Sequence, residues 1–216
     1  MNNKLIFQLA GLLLFAFILN EANAQVVDTK KKEYKKAVKQ RTKDYEKQGY
    51  KPMGSGTIQL YVSRGINKEF ETDENGQNKN FVITSKEVGP TFESASTACR
   101  ASARSAIAAN IETRVAELVK RSVANDELSE TSADGINKII AAGKQLIAQR
   151  ISTEDIYTFY RPVKDTRTGE DIVEVMYSAC YSNKLAMQKA KEYIREQLKE
   201  ETEDLHIDLD KIFDLN

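Results

Sequence analysis

Histidine and tryptophan are nearly absent from this sequence, and their scarcity excludes several kinds of active site. The 216 residues include one histidine, His206, and no tryptophan. One histidine cannot build a multi-histidine metal centre, and no cysteine lies at ligand spacing from it. It would also have to serve as the base for any serine nucleophile, yet no G-x-S-x-G elbow is present. The lack of tryptophan argues against a cleft that stacks on sugar rings.

Two further ligand-binding patterns are missing. The glycines of "GSG" at 54–56 are too few for a phosphate-binding loop. Asp204, Asp208 and Asp210 could hold calcium only weakly, because the glycine and closing glutamate of a calcium-binding hand are absent. We therefore predict no catalytic residues, no cofactor and no metal, and a protein that is not an enzyme. A hydrolase that assembles its carboxylates in space is the remaining enzymatic alternative.

The first residues have the pattern of a cleavable export signal. Lys4 precedes an apolar run from Leu9 to Leu19, and the small-residue end "ANA" follows at 22–24. The run is too short to span a bilayer, and no later segment is apolar enough to do so. We predict a signal peptide over 1–24, with export to the periplasm or the outer-membrane periphery.

Formal net charge is zero, but it is distributed unevenly along the chain. Residues 28–51 hold ten Lys or Arg against four Asp or Glu, whereas residues 196–214 hold eight acids against two lysines. We predict a basic N-terminal helix and linker over 25–51, a single domain over 52–204 and an acidic tail over 205–216. The overall balance does not favour nucleic acid as a partner.

Three interpretations of the basic helix remain open. It is a solvated helix, it docks on the acidic tail, or it contacts an anionic envelope surface such as lipid, lipopolysaccharide or cell-wall polymer. The cations that such contact would use are Lys30, Lys31, Lys32, Lys35, Lys36, Lys39, Arg41 and Lys43.

The pattern of the remaining chain predicts an α+β fold, with helices on one face of a mainly antiparallel sheet of about four strands. Strands are predicted at "TIQLYVSR" (57–64), "NFVITSKEV" (80–88), "EDIYTFYRPV" (154–163) and "EDIVEVMYSACYS" (170–182). Asn75-Gly76 indicates a turn. Helices are predicted from about Thr91 to Ala124, from an N-cap at Ser132, and from about Ser182.

The first of these helices has an inward face that changes along its length. Small residues, among them Ala103 and Ala106, come first, and Ile107, Ile111, Val115 and Leu118 follow. Small side chains let a helix axis approach a sheet closely. Close packing is the first interpretation, and a ligand groove above the small residues is the alternative.

The two cysteines permit one disulfide, between Cys99 and Cys180. Strand alternation opposes it, because Val173, Val175 and Tyr177 form the apolar face and Cys180 points the other way. Two buried, inert thiols are the other interpretation.

The aromatic residues of the late strands are expected to pack in the core or to line an interaction surface; they are Tyr157, Phe159, Tyr160, Tyr177 and Tyr181.

Three segments together resemble a known envelope family. They are "SASTACRASARSAIAANIETRVAELVKRSV", "INKIIAAGKQLIAQRISTEDIYTFYR" and "DIVEVMYSACYSNKLAMQKAKEYI". The chain looks like the bacterial lipoprotein-20 type, which is related to the N-terminal region of a flagellar-assembly periplasmic protein. The resemblance covers about 92–194, implies an α+β envelope protein without known catalytic residues, and lacks the lipidated cysteine.

These observations predict an exported, non-enzymatic envelope protein that acts as a structural or interaction module. Its expected partner is an envelope protein or an anionic envelope surface. The alternative is a periplasmic protein that binds a small apolar or amphipathic ligand above the small-residue face.

Overall fold

The computed structural model describes residues 31–198, together with Leu209, Ile212 and Phe213. These residues form five helices and a four-stranded sheet. In chain order they are α1 (31–47), β1 (Lys51–Pro52), α2 (Ile58–Phe70), β2 (Asn80–Gly89), α3 (Phe92–Ala124), α4 (Glu130–Arg150), β3 (Glu154–Lys164), β4 (Asp171–Ser182) and α5 (Asn183–Gln197).

The sheet is antiparallel throughout and has the order β1-β3-β4-β2. Strands β3 and β4 form a hairpin whose turn uses Gly169 at φ 75°. The register of β3 shifts between Asp155 and Tyr157, which leaves Ile156 as an extra residue in a bulge. The predicted α+β class, with helices on an antiparallel sheet of four strands, is confirmed.

Helix α3 packs its small residues directly on β2 and β4. Ala95, Cys99 and Ala103 are at most 2% exposed. The Cys99 thiol donates to the Val175 carbonyl oxygen at 3.0 Å, and Ser85 Oγ donates to the Cys99 carbonyl oxygen at 2.8 Å. A larger side chain at position 99 would hold the helix away from these strands. The predicted close packing is therefore present, and the space that a ligand groove would need on this face is filled.

The second half of α3 faces α4 and α5 instead of the sheet. Its large residues pack with the isoleucines of α4 in the main core cluster. The α3 residues are Ile107, Ile111 and Val115, and the α4 residues are Ile136, Ile140 and Ile147. Leu209 and Ile212, from the predicted acidic tail, belong to the same cluster and are at most 1% exposed.

The sequence prediction of a strand over 57–64 is wrong, because this segment forms most of helix α2. Thr57 caps the helix by accepting from the Leu60 backbone N–H at 3.1 Å. The buried residues Ile58, Val62 and Ile66 recur every four positions, which is a helical period. The alternation that suggested a strand depended on Leu60, which is 46% exposed.

Helices α1 and α2 cover the face of the sheet opposite α3. A second core cluster lies beneath them and contains Val38, Tyr50, Ile58, Val62, Ile66, Ile156, Tyr157, Phe159, Met176 and Cys180. The rings of Tyr157 and Phe159 stack at 4.3 Å within it. The sheet is thus packed on both faces, whereas the sequence predicts helices on one face; the layer formed by α1 and α2 is the addition.

The helix boundaries follow local capping. Thr91 and Ser94 form a capping box at the start of α3, and Ser182 caps α5, so both helices begin where the sequence predicts. The predicted N-cap of α4 at Ser132 is wrong by three residues. Ser129 is the cap, and it accepts from the Ser132 backbone N–H at 3.1 Å.

The predicted turn at Asn75-Gly76 is confirmed. Gly76 has φ 76° in the turn at 75–76, a conformation that glycine adopts without a steric penalty. Pro162 lies beyond the two residues of β3 that pair with β1, so its missing N–H interrupts no ladder on that side.

Among the residues that the structure describes, no helix combines the length and apolarity needed to cross a membrane.

Two glycines of α4 test the packing of α4 on α5. A Cβ at Gly143 would lie 1.9 Å from Tyr193 Cε1, whereas a Cβ at Gly135 would meet nothing within 4 Å. We expect Gly143→Ala to lower the free energy of unfolding by about 1–3 kcal/mol through overpacking. The matched variant Gly135→Ala should raise it by about 0.5–1 kcal/mol, because alanine favours the helix. Urea unfolding followed by far-UV circular dichroism measures both; equal effects would contradict the described contact.

Candidate functional site

The outer side of α1 is a face of lysines. Lys32, Lys35, Lys36, Lys39, Lys43 and Lys47 are exposed. At about 100° per residue they fall within an arc of roughly 120°. Glu46 is the carboxylate that shares the arc. We call these six residues the lysine face.

The inner side of α1 is fixed to α2 by polar and apolar contacts. Val38 and Thr42 are buried at 6% and 8% exposure. Tyr34 donates its hydroxyl to Ser63 Oγ at 3.1 Å, and Arg41 forms a two-pronged ion pair with Glu69, with a shortest distance of 2.6 Å. Hydrogen bonding to Glu69 raises the pKa of Arg41. The lysine face is therefore presented from a helix with a defined orientation.

The end of α1 is held by an aromatic and ionic network on β3 and β4. The Tyr45 ring packs edge-on against Phe159 at 5.8 Å, and burial raises the pKa of the Tyr45 hydroxyl. Arg161 pairs with Glu174 at 2.9 Å and also donates to the Gln48 carbonyl oxygen at 2.9 Å. This arginine ties the residue after α1 to two strands of the sheet.

Glu174 is the anion at the centre of that network. Burial acts to raise its pKa, but hydrogen bonds from Arg161 and Tyr50 outweigh burial and lower it. The carboxylate therefore stays ionised and serves as an acceptor for both side chains. Its role is structural, because its hydrogen bonds hold α1 and β1 on the sheet.

The predicted surface-contact residues divide into three groups. Lys31, Lys32, Lys35, Lys36, Lys39 and Lys43 are exposed on α1. Arg41 is not part of that surface, because it points inward to Glu69. Lys30 lies outside the described residues, as do Asp204, His206, Asp208 and Asp210 of the weak calcium hypothesis and the signal segment 1–24.

The disulfide that the sequence permits is absent, and both cysteines are free and buried, which agrees with the alternative of two buried thiols. Cys99 belongs to the core on the α3 side of the sheet, and Cys180 belongs to the core under α1 and α2. The strand alternation that opposed the bridge is therefore correct, because Val175 and Tyr177 share the face of Cys99. The sheet itself separates the two thiols.

A basic cleft lies on the other side of the sheet and was not anticipated from the sequence. It has a volume of about 1290 Å³ and lies among the turn region 73–80, α3 and α5. Six cations line it: Lys79, Arg114, Arg121, Lys184, Lys191 and Arg195. Asp73, Glu74, Glu117 and Glu192 are its carboxylates. The spacing of Arg114 and Arg121, and of Lys184 and Lys191, by seven residues was the available signal, since that spacing repeats one helix face.

The described residues contain no group of three or more His, Cys, Asp or Glu side chains arranged to hold a metal ion. Both basic surfaces present Lys or Arg side chains, whose charged N–H groups bind anions.

Comparison with known families identifies the class of the domain. The RIH domain family (RYDR_ITPR) matches residues 68–208, which is 141 of the 216 residues. The chain therefore belongs to the RIH domain family, named for homology between the ryanodine and inositol trisphosphate receptors. No curated protein and no solved structure matches the chain.

The family match corrects the resemblance to the lipoprotein-20 type, which is wrong. That resemblance depended on an alanine-rich helix, a shorter helix, a strand pair and a closing helix. Any α+β layer with this element order can show the same pattern, and no diagnostic residue supported the assignment. The match begins at Lys68, so α1 and its lysine face precede the matched region, whereas the residues that line the basic cleft lie within it, apart from Phe213.

The two thiols provide a test of the arrangement around the sheet. Burial raises the pKa of both Cys99 and Cys180, so little reactive thiolate forms at neutral pH. We expect iodoacetamide to label the native protein slowly and to add two groups after denaturation, without prior reduction. Intact-mass spectrometry measures this. A mass that increases by two hydrogens on reduction would contradict the separation of the thiols.

Proposed function

We propose that this protein is a non-enzymatic interaction module of the cell envelope that lies on an anionic phospholipid surface through the lysine face of α1. The observation that carries the proposal is the alignment of six exposed lysines on one side of a helix whose other side is packed on α2. Each cation near an anionic leaflet contributes about 1 kcal/mol. A face of six is therefore sufficient for peripheral binding that salt weakens.

The packing of α1 supports a surface role over a merely solvated helix. A helix needed only for solubility requires no fixed rotation about its axis. Here Tyr34, Val38 and Arg41 fix that rotation, so the lysines project together and to one side. A flat array of cations matches a charged sheet of lipid headgroups better than it matches a single small anion.

Liposome flotation tests the lipid contact. We expect binding to vesicles that contain phosphatidylglycerol, no binding to pure phosphatidylcholine vesicles, and loss of binding between about 0.05 M and about 0.5 M salt. Replacement of Lys35, Lys36, Lys39 and Lys43 by glutamine should weaken binding by a factor on the order of 100–1000.

A control variant with the same change in net charge separates the lysine face from charge alone. It replaces four exposed cations elsewhere by glutamine: Arg104, Lys120, Lys138 and Arg167. Binding that survives in the lysine-face variant, or that falls equally in both variants, contradicts the proposal. Binding to lipopolysaccharide or cell-wall polymer, but not to phospholipid vesicles, would reject lipid as the partner.

Export is the second component of the proposal, and it rests on the segment Leu9–Leu19 and the small residues at 22–24. We expect the protein from cells to begin at Gln25 and to fractionate with the envelope. Placing aspartate at both Ala22 and Ala24 should block cleavage and leave the longer chain. N-terminal peptide mapping measures both; a cytoplasmic protein that retains residues 1–24 would show that the signal assignment is wrong.

A further inference from the structure

The basic cleft offers a site that does not depend on the lysine face. Its cations come from three separate elements: Lys79 from the turn region, Arg114 and Arg121 from α3, and Lys184, Lys191 and Arg195 from α5. Convergence of like charges from separate elements costs energy through mutual repulsion, unless anions offset it. An anionic occupant would relieve that repulsion.

Two of the four carboxylates in the cleft are already engaged with neighbouring groups. Asp73 Oδ1 accepts from the backbone N–H groups of Asn75 and Gln77 at 2.9 Å each, which closes the turn. Glu192 pairs with Lys189 at 2.6 Å. The six cations that line the cleft also outnumber its four carboxylates.

The first turn of α5 adds to this field. Ser182 and Asn183 line the cleft at the beginning of the helix, where the backbone N–H groups carry partial positive charge. Leu118 and Met187 supply apolar surface beside the cations. The combination of cations, amide side chains and an apolar patch suits an acidic peptide, whose backbone and apolar side chains need partners as well as its carboxylates.

The chain itself brings such a peptide to the cleft. Helix α5 is followed at Leu198 by the acidic stretch, and the chain returns to the core at Leu209 and Ile212, which are at most 1% exposed. Phe213 packs against that core and is itself one of the residues that line the cleft.

Two carboxylates flank these anchors in the sequence. Asp210 directly follows Leu209, and Asp214 directly follows Phe213. Consecutive Cα atoms are about 3.8 Å apart, and Asp214 is the next residue in the chain after Phe213, which lines the cleft. Charge complementarity and chain connectivity therefore point to the same occupant.

We propose that the basic cleft is a binding site for acidic peptide and that the acidic segment 205–216 is its resident occupant, through Asp210 and Asp214. The carboxylates neutralise the cations of α3 and α5, and Leu209, Ile212 and Phe213 hold the segment in place. An acidic segment of another protein binds the cleft by displacing the carboxylates of Asp210 and Asp214 from the cations, while Leu209 and Ile212 stay in the core.

Zero-length cross-linking of the full chain tests the occupancy directly. Carbodiimide joins a carboxylate to a contacting lysine amine as an amide, with loss of water. We expect amides from Asp210 or Asp214 to Lys79, Lys184 or Lys191, identified by peptide mass spectrometry and weakened by salt. Cross-links from these aspartates to the lysine face, or none to the cleft lysines, would overturn the proposal.

An equal mixture of light and ¹⁵N-labelled chains identifies which molecule supplies the segment. Light–light and heavy–heavy products alone are expected from a segment that binds its own cleft. Mixed products at dilute protein would show that a second copy supplies the segment, and they would reject the resident occupant that we propose.

A binding measurement tests the site itself. The probe is a fluorescent synthetic peptide with the sequence of 205–216, titrated into the full chain. We expect Asp210→Asn with Asp214→Asn to tighten probe binding about ten-fold, the factor that applies if the native segment occupies the cleft nine-tenths of the time. The matched control, Asp134→Asn with Glu170→Gln, removes two exposed acids elsewhere and should leave the affinity unchanged. Equal affinity in the tail variant and the wild type would contradict displacement.

Discussion

The contact between the small-residue face of α3 and strands β2 and β4 is the constraint on which the architecture depends. The Cys99 thiol lies 3.0 Å from the Val175 carbonyl oxygen, and this separation is attainable only because Ala95, Cys99 and Ala103 present short side chains. Once the first half of α3 is fixed on the sheet, its second half extends as a platform. Helices α4 and α5 and the anchors Leu209 and Ile212 pack on that platform, so the walls of the basic cleft follow from the same contact.

The opposite face of the sheet depends on aromatic packing and on one partly buried ion pair, Arg161–Glu174. Tyr157 and Phe159 stack there, and Tyr45 packs against both rings. Arg161 and Glu174 hold the end of α1 in register with β3 and β4. A basic helix that could otherwise leave the domain is thereby made part of it, although the family match begins only at Lys68.

Much of the fold was predictable from the sequence, because periodicity and turn chemistry are local. Strands β2, β3 and β4, helix α3 and the turn at Gly76 follow from such signals. The error at 57–64 arose because alternation and a four-residue repeat coexist in "TIQLYVSR", and only tertiary burial decides between them. The basic cleft was missed because its cations lie far apart in the chain and meet only after α3 and α5 pack. The lysine face was predictable in composition, whereas the inward position of Arg41 depends on Glu69 of α2.

Because helices cover both faces of the sheet, contact through α1 would fix the orientation of the molecule on a lipid surface. Helix α1 lies on one side of the sheet, while α3 and α5, which form walls of the cleft, lie on the other. A protein resting on lipid through α1 would thus turn the cleft toward the aqueous compartment. Lipid binding by the lysine face and peptide binding by the basic cleft could then occur at the same time, because they use different surfaces.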